Sequence, residues 1–525
     1  MTPCQIILLL VVVSQVDAYN YLVYSPIFAH SHTNFLGKLA DTLTDAGHNV
    51  TLLAPLVNYR LRGKFNVHST NDIITHEPDA TLIKMQDKLD KSDVGNFWTE
   101  YADVFSQAKM VRAFMKMFIY HCELVSLNEE MKAELKSRKF DVIMFEPFNY
   151  CGFLVRDYLK IKSYIISTSL PMDESTSYHI GEPFPTSTVP VLMSALSDKM
   201  TILQRAQNAF EYYWGTKDMF GPQPVSLFTN FGIRPFLTKD VVKEASYILT
   251  NSNPYLDFPR PTLPKTIPIG GIVVNTKKLR SQKTDAEFDE VLNRRDKTVL
   301  MSFGTVILSS VMPASYRINL LKVFASMPDV TFIWKYETDE LDWARNVSNV
   351  YFSKWIPQTA LLADTRLTAF ITHGGLGSTT ELAYFGKPAL MIPMFADQMR
   401  NAKMLERHGG AHVICKSQLG NFDVVRDALH DVLYDDSYRK NAETLADQLE
   451  NQPIKPRDNA VRHAEFAAMF TDLTTLDTAS TEMNIFQYYL VDVLLACLFT
   501  STILLYTGYK ALSRVSIKVR KVKKQ

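Results

Sequence analysis

The sequence predicts an α/β protein made of two halves and followed by one C-terminal transmembrane helix. Three observations support this fold class. In both halves, short apolar runs alternate with stretches of helical periodicity, the pattern of βαβ units around a parallel sheet. A proline-rich segment separates the halves. A chain of 525 residues, of which 46% are hydrophobic, is long enough to bury a core in each half.

The first half opens with a βαβ unit. Tyr19–Tyr24 is predicted to be a buried strand, and the segment from about Thr33 to Ala46 has its apolar residues at helical spacing. Val50–Ala54 is the next predicted strand. A further unit starts at the strand Phe140–Phe145 and includes the strand Tyr164–Ser167.

Between the halves the composition changes twice. Residues 174–236 are irregular and rich in aromatic residues and proline, so this insert beside a sheet edge is suited to holding a lipophilic molecule. Residues 251–272 are proline-rich and end in Gly270-Gly271, which is typical of a linker. The second half then begins with the predicted strand Thr298–Phe303.

A glycine turn in the second half carries the strongest functional signal. The apolar run Ala369–Thr372 is a predicted strand, and His373, Gly374 and Gly375 turn the chain toward a helix from about residue 378 to 385. Glycine lets another molecule approach the backbone, and a helix N-terminus presents unpaired N–H groups and the positive end of its dipole. We therefore expect this turn to bind a phosphate.

Polar residues suited to the rest of a nucleotide-sugar flank the turn in chain order. The indole of Trp355 can stack on a base, and the amide of Gln358 can pair with its edge. Glu381 lies on the helix, where a carboxylate can accept two ribose hydroxyls. Asp397 and Gln398 follow the next strand at its carboxyl end, where ligands bind in open α/β sheets.

The segment resembles the donor-binding signature of the UDP-glycosyltransferases, specifically the membrane-bound UDP-glucuronosyltransferase type. The matching runs are WIPQ, FITHGG with its helix glutamate, GKPALMIPMFADQ and QPIKPRDNA. The resemblance covers nearly the whole mature chain. It implies the GT-B fold, in which two facing Rossmann-like domains enclose a cleft. The expected divisions are a signal peptide (1–18), an acceptor-binding domain (19–250), a linker (251–285), a UDP-sugar-binding domain (286–470), a transmembrane helix (485–509) and a basic cytosolic tail (510–525).

The resemblance implies inverting glycosyl transfer with a histidine base. His32 precedes Gly47 by the interval that separates the catalytic histidine from a Gly-His pair in the family, whereas His30 lies two residues away and could compete. The dipole of the following helix disfavours the imidazolium and so favours a ring that can accept a proton. The family orients this histidine with an aspartate after a later strand, and here Glu146 occupies that position.

The resemblance also implies which residues bind the donor. The Ser-x-Gly-Thr turn after the first strand of the second half is expected near the diphosphate. The donor-binding set is Ser302, Gly304, Thr305, Trp355, Gln358, His373, Gly374, Gly375, Gly377, Ser378, Glu381, Asp397 and Gln398.

Two departures leave the donor sugar open between glucuronate and glucose. Vertebrate glucuronosyltransferases carry Asn and Gly where this chain has Gly377 and Ser378. They also carry an arginine, associated with the sugar carboxylate, where this chain has Asn251. Arg260 is close by in the sequence and is a candidate substitute.

The two ends of the chain predict a membrane-anchored lumenal protein. Residues 1–18 contain an apolar stretch too short to span a bilayer and end in small residues, as secretory signals do. Residues 485–509 are long enough to cross a bilayer and have aromatic residues at both ends. The basic tail places the body in the lumen by the positive-inside rule, and Lys521 and Lys523 match a pattern of retrieval to the endoplasmic reticulum. The sequon at Asn346 lies outside the predicted buried strands, so Asn346 is the candidate glycosylation site.

Composition bears on disulfide bonds, on nucleic-acid partners and on metal sites. Cys122, Cys151 and Cys415 lie outside the leader and the tail, and this odd trio argues against a disulfide framework and allows at most one bridge. A net charge of +1 gives no basis for a nucleic-acid partner. No clustered carboxylates suggest a metal site, so we expect no cofactor beyond the UDP-sugar co-substrate.

The expected partners are a UDP-sugar, a small lipophilic acceptor and a membrane, and the sequence leaves homo-oligomer formation open. A non-catalytic nucleotide-sugar-binding membrane partner is the alternative from another functional class. A Rossmann oxidoreductase is disfavoured because no G-x-G-x-x-G follows the first strand.

Overall fold

The computed structural model describes residues 18–93, 96–99, 104–147, 150–218, 224–236 and 238–522. The predicted signal peptide lies outside these residues except for Ala18, and so does Lys523 of the predicted retrieval signal.

The first half of the chain folds around a seven-stranded parallel sheet with the strand order β3-β2-β1-β4-β5-β6-β7. Its strands are β1 (Asn20–Tyr24), β2 (Asn49–Leu53), β3 (Asp72–Ile74), β4 (Val142–Phe145), β5 (Ser163–Thr168), β6 (Tyr247–Thr250) and β7 (Thr266–Pro268). The helices of this half are α1 (His30–Asp45), α2 (Ala80–Asp93), α3 (Val104–Leu127), α4 (Glu129–Lys136), α5 (Cys151–Leu159), α6 (Glu174–Ile180), α7 (Ile202–Asp218), α8 (Val225–Phe231) and α9 (Thr238–Lys243).

The second half folds around a six-stranded parallel sheet with the order β10-β9-β8-β11-β12-β13. Its strands are β8 (Lys297–Ser302), β9 (Val330–Lys335), β10 (Val350–Ser353), β11 (Leu367–Thr372), β12 (Ala389–Met391) and β13 (Ala411–Val413). The remaining helices are α10 (Thr276–Arg280), α11 (Ala286–Leu292), α12 (Ala314–Ala325), α13 (Gln358–Ala363), α14 (Leu376–Phe385), α15 (Gln398–Glu406), α16 (Phe422–Tyr434), α17 (Asp436–Glu450), α18 (Pro456–Met469), α19 (Ile485–Tyr488) and α20 (Val491–Val522).

Both faces of the first sheet are buried, because its strands are apolar at successive positions. Tyr21 and Val23 of β1 pack into the same cluster as Phe35 of α1, while Leu22 and Tyr24 point to the other face and join the cluster that contains Phe153 of α5. Continuous apolar strands of this kind are typical of parallel sheets covered by helices on both sides.

The chain returns to the first sheet before it ends. Helix α18, which falls in the predicted second domain, packs against α1 and against strands β4 to β7 of the first sheet. Its alanines Ala460, Ala464 and Ala467 are spaced so that they form a single buried stripe there. Strand β7 likewise lies within the predicted linker and forms the edge of the first sheet. The two halves are therefore connected by the linker and again by α18.

The C-terminal apolar segment is helical, but it begins later than predicted. The helix α19 ends at Tyr488, and Leu490 adopts a positive φ of 55°, so the long helix α20 starts only at Val491. Within the described part of the chain, this is the one helix that is long and apolar enough to cross a membrane, over Val491–Arg514.

One disulfide forms among the described residues. Cys122 on α3 and Cys151 at the start of α5 are bonded, with their Cα atoms 5.4 Å apart, while Cys415 and Cys497 are free and exposed. The sequence allowed at most one bridge and did not identify this pair, because only the fold brings α3 beside the end of β4.

Candidate functional site

Polar residues follow three neighbouring strands of the first sheet and lie at the same edge. The strand β1 leads into α1, which carries His32, while Glu146 directly follows β4 and Ser169 directly follows β5. Because β1, β4 and β5 are adjacent and parallel, their carboxyl ends meet at the same edge. The sequence placed His32 just before its helix, whereas α1 starts at His30 and His32 lies in the first turn.

The side chains of these residues are in contact. The Nδ1 atom of His32 lies 2.9 Å and 3.1 Å from the two carboxylate oxygens of Glu146. The hydroxyl of Ser169 lies 2.7 Å from the same Nδ1, and the backbone N–H of Ser169 donates to Glu146 at 2.8 Å. The Glu146 side chain is only 1% exposed, whereas that of His32 is 17% exposed. A carboxylate at Nδ1 favours the tautomer in which Nε2 can accept a proton.

The other candidate histidine differs in its surroundings. Burial, together with the nearby charge of Lys64, lowers the pKa of His30. The buried carboxylate of Glu146 bonds to His32. Of the two histidines, His32 is therefore the one whose contact with a buried carboxylate the structure shows.

One more residue of this edge was known from the sequence only as the position of the family's arginine. Asn251 follows β6, the next strand of the sheet, and its side-chain amide donates to the backbone carbonyl of Ser169 at 2.9 Å. Its Oδ1 atom is buried without a hydrogen-bond partner in the structure. The spacing of polar residues after successive strands was the available signal, but the strand order was needed to use it.

In the second half, the ring of His373 is held between two glycines. A Cβ atom on Gly304 would come within 2.9 Å of the His373 ring, and one on Gly375 within 2.7 Å. Gly304 also has a φ of +81°, which L side chains rarely adopt. Burial and the nearby charge of Lys335 lower the pKa of His373 to about 4, so the ring is neutral at physiological pH. The Ser302–Gly304 turn and the glycine turn after β11 thus form one compact surface.

The helix α14 begins directly after this turn. Gly375 is its N-cap, and the helix starts at Leu376, two residues earlier than predicted. The backbone N–H of Thr379 donates to the carbonyl of Gly375 at 2.9 Å, and the N–H groups of the residues just before Thr379 are those that a helix leaves unpaired. Thr305 is exposed beside Gly304, and an added Cβ on Gly377 would meet nothing within 4 Å. These groups can receive a phosphate.

The residues predicted to bind the base and the ribose are hydrogen-bonded to one another. The side-chain amide of Gln358 donates to Glu381 at 2.7 Å and to Ser378 at 3.0 Å, and Thr359 donates to the other oxygen of Glu381 at 2.8 Å. Burial raises the pKa of Glu381. Trp355 is 63% exposed at the start of this group. Thr359 was not predicted, although it immediately follows Gln358 at the start of α13.

The Asp397-Gln398 pair lies at the carboxyl end of the second sheet. Asp397 accepts from Asn401 at 2.6 Å, and Asn401 also donates to the carbonyl of Gly374 at 3.1 Å. The Oε1 atom of Gln398 accepts from the backbone of Met394 and Phe395 at 3.0 and 3.2 Å, so only its amide N–H groups remain for a ligand. Burial raises the pKa of Asp397, and the His32 ring is near enough to oppose that effect. Asp397 of the second half is therefore within electrostatic range of His32 of the first half.

Arg260 does not stand free beside this cleft. Its guanidinium is buried, pairs with Glu182, and donates to Ser177 at 2.7 Å. It also lies over the ring of Phe184, 4.9 Å from the centroid. These contacts hold Arg260 within the first half. No group of three or more His, Cys, Asp or Glu side chains suited to a metal occurs among the residues that the structure describes.

Known proteins share both the fold and the sequence pattern. The family model described as UDP-glucoronosyl and UDP-glucosyl transferase matches residues 22–525. UDP-glucuronosyltransferase 1A1 of Rattus norvegicus is 28% identical over 96% of this chain and 92% of its own length. Putative UDP-glucuronosyltransferase ugt-47 of Caenorhabditis elegans is 27% identical over 92% of this chain and 90% of its own length.

Solved structures agree on the architecture. The structure of TcCGT1 in complex with UDP has a TM-score of 0.56 and 15% identity, over 87% of this chain and all of that chain. A UDP-glucosyltransferase from Polygonum tinctorium gives a TM-score of 0.57 at 15% identity over the same shares. The two parallel sheets are the two Rossmann-like domains of the GT-B fold, as predicted. The chain belongs to the UDP-glucuronosyl and UDP-glucosyl transferase family.

Proposed function

We propose that this protein is an inverting UDP-glucuronosyltransferase that transfers glucuronate to hydroxyl groups of small lipophilic compounds. The observation that carries the proposal is the contact between His32 and the buried carboxylate of Glu146 at the edge of the first sheet. A protein that only bound a nucleotide-sugar would have no need of a buried carboxylate aligned on a histidine nitrogen.

In the proposed reaction, Nε2 of His32 takes the proton of the acceptor hydroxyl as its oxygen attacks the anomeric carbon of the donor. The bond between that carbon and the diphosphate oxygen breaks, and UDP leaves with the electron pair. Glu146 stabilises the imidazolium that forms, in the way that a buried carboxylate does in other histidine-based sites. The products are the glycoside, UDP and one proton, which His32 later returns to water.

The second domain would hold the donor. Trp355 stacks on uracil, Gln358 pairs with its edge or with ribose, and Glu381 accepts the ribose hydroxyls. The first turn of α14, with His373 and the Ser302–Thr305 turn, holds the diphosphate, and its N–H groups stabilise the charge that develops as UDP departs. Asp397 and the amide N–H groups of Gln398 bind the sugar hydroxyls.

We further propose that α20 anchors the protein in the endoplasmic reticulum membrane with its body in the lumen. The part of this helix at Val491–Arg514 has the length and apolar composition for a span, and the sequence after it is rich in basic residues. Asn346 is exposed, as glycosylation there would require.

A second candidate donor, UDP-glucose, is favoured by one specific observation. The family's carboxylate-associated arginine is replaced by Asn251, which is bonded to Ser169. The nearby Arg260 is engaged by Glu182. A glucuronate carboxylate therefore lacks an obvious cation, whereas a glucose hydroxymethyl group requires none.

A competition assay tests these proposals. UDP-glucuronate and UDP-glucose are supplied together with one generic phenol, and the two glycosides are quantified. Formation of the glucuronide supports the primary proposal, and formation of the glucoside alone replaces it with the second. If UDP binds but neither the protein nor a His32→Ala control gives turnover, the binding-only class is correct.

A further inference from the structure

A short segment of the first domain is buried in the second. We name residues 96–99, between α2 and α3, the interdomain clip. The side chain of Trp98 is 0% exposed and lies among core residues of the second sheet. Its indole N–H donates to the carbonyl of Leu308 at 3.1 Å, and its ring meets that of Phe303 edge-on at 4.8 Å. A buried indole with its N–H satisfied is a specific contact rather than a chance approach of two surfaces.

The neighbouring Phe97 makes a second contact with the same domain. Its ring stacks on Phe395 with centroids 4.2 Å apart and planes 13° from parallel. The ammonium group of Lys416 donates to the carbonyl of Phe97 at 2.6 Å and to that of Met394 at 3.1 Å. One cation therefore joins the clip to the loop that carries Phe395.

Both contacts are made to loops of the donor site. Phe303 lies between Ser302 and Gly304, in the turn assigned to the diphosphate. Phe395 stands two residues before Asp397, in the loop assigned to the sugar. Between them, Ala396 adopts a φ of 55°, a conformation that is uncommon for alanine and persists only when its surroundings hold it.

The helix that follows the clip in the chain contributes to the packing around His32. This helix, α3, carries Phe118. The ring of Phe118 packs edge-on against Phe28 at 4.9 Å, and Phe28 lies 4.5 Å from the ring of His32. The chain segment that contacts the donor-site loops is therefore followed by a helix that packs beside His32.

We infer that the clip is a positioning device that sets the conformation of the sugar loop, with Phe97 as a determinant of affinity for the sugar part of the donor. This inference rests on the proposed function, because it assigns the loop at 394–398 to the donor sugar. If the clip only held the two domains together, its loss would weaken the binding of UDP and of the UDP-sugar equally. The reason is that such a loss would act on the sugar loop and on the phosphate turn alike.

The test is titration calorimetry on the full-length protein in detergent. It compares the affinity for UDP with the affinity for the UDP-sugar that the competition assay identifies, UDP-glucuronate or UDP-glucose. Phe97→Ala removes the stacked ring and is expected to weaken binding of the UDP-sugar about fivefold. It should change binding of UDP alone by less than about twofold, because UDP does not contact the sugar loop. Phe97→Tyr keeps the ring and is expected to restore the affinity for the UDP-sugar.

The matched control is Phe236→Ala, which removes a partly buried ring that stacks on Tyr150 within the first domain at 5.5 Å. It is expected to leave both affinities unchanged. Equal losses for UDP and UDP-sugar in Phe97→Ala, or unchanged affinity for both, overturn the inference while leaving the proposed function intact. A wild-type protein that binds no UDP overturns both.

Discussion

Glu146 contacts Nδ1 of His32 through both of its carboxylate oxygens, and one of those oxygens also accepts the backbone N–H of Ser169. The family pattern has an aspartate at this position, so the glutamate reaches His32 with one additional methylene. The Ser169 N–H fixes the far end of the longer side chain. Glu146 and the backbone N–H of Ser169 therefore together orient the His32 ring, as a shorter aspartate would do alone.

Replacing Glu146 by glutamine should reduce kcat strongly. The amide is isosteric but uncharged, so it does not offset the charge of the imidazolium that forms on proton transfer. While its oxygen accepts from the Ser169 N–H, its NH₂ group faces Nδ1 and donates to it, which favours the tautomer that carries its proton on Nε2. We expect kcat to fall about 100-fold, within the range that general base catalysis contributes. The UDP dissociation constant should be unchanged, because the nucleotide is assigned to the other domain. A wild-type kcat in Glu146→Gln would exclude the dyad.

Ser169→Ala should have a small effect that is confined to kcat. The variant removes the hydroxyl at 2.7 Å from Nδ1 but keeps both the Ser169 backbone N–H and the Glu146 carboxylate. One hydrogen bond of this kind is worth about 1 kcal/mol, so kcat should fall about threefold to tenfold. Steady-state kinetics at saturating donor measure the change. A loss as large as that of Glu146→Gln would mean that the hydroxyl, and not the carboxylate, sets the tautomer.

The residues that the sequence assigns to the donor lie in or directly after one βαβ unit. The turn at His373, the helix glutamate Glu381 and the pair at Asp397 follow each other at short spacing, so their order along the chain mirrors their order in space. His32 and Glu146 are 114 residues apart, and it was the family resemblance that connected them in the sequence. Ser169 was not identified, and Asn251 was named only as the position of the family's arginine, because their closeness depends on which strands are neighbours in the sheet. Trp98 was missed for a related reason, since its partners are more than two hundred residues away along the chain.

Gly375→Ala should weaken donor binding, whereas Gly508→Ala should not. Gly375 has an ordinary φ of −57°, so the cost of the substitution is steric: its Cβ would lie 2.7 Å from Nε2 of His373 and push the ring. We expect the UDP dissociation constant to rise about tenfold, which corresponds to about 1.4 kcal/mol. Gly508 lies in α20, outside the proposed donor site, with open space around it, and alanine is the better helix former, so this control should keep the affinity. Equal affinities for the two variants would contradict the assignment of His373 to the diphosphate.

The affinity for a UDP-sugar should fall as the pH drops through the raised pKa of Glu381. Burial favours the protonated carboxyl, whereas ribose hydroxyls donate to the ionised form, so at a pH below that pKa binding has to release a proton from Glu381. Affinity is therefore full above that pKa and is lost below it. His373 cannot account for this limb, because its pKa of about 4 keeps the ring neutral throughout. Calorimetric titrations from neutral pH down to about pH 5, just above the ordinary pKa of a glutamate, measure the profile. Glu381→Gln should flatten it, and Asp397→Asn should not. A profile that stays in Glu381→Gln and disappears in Asp397→Asn would move the titrating group to the sugar loop, where burial also raises the pKa of Asp397.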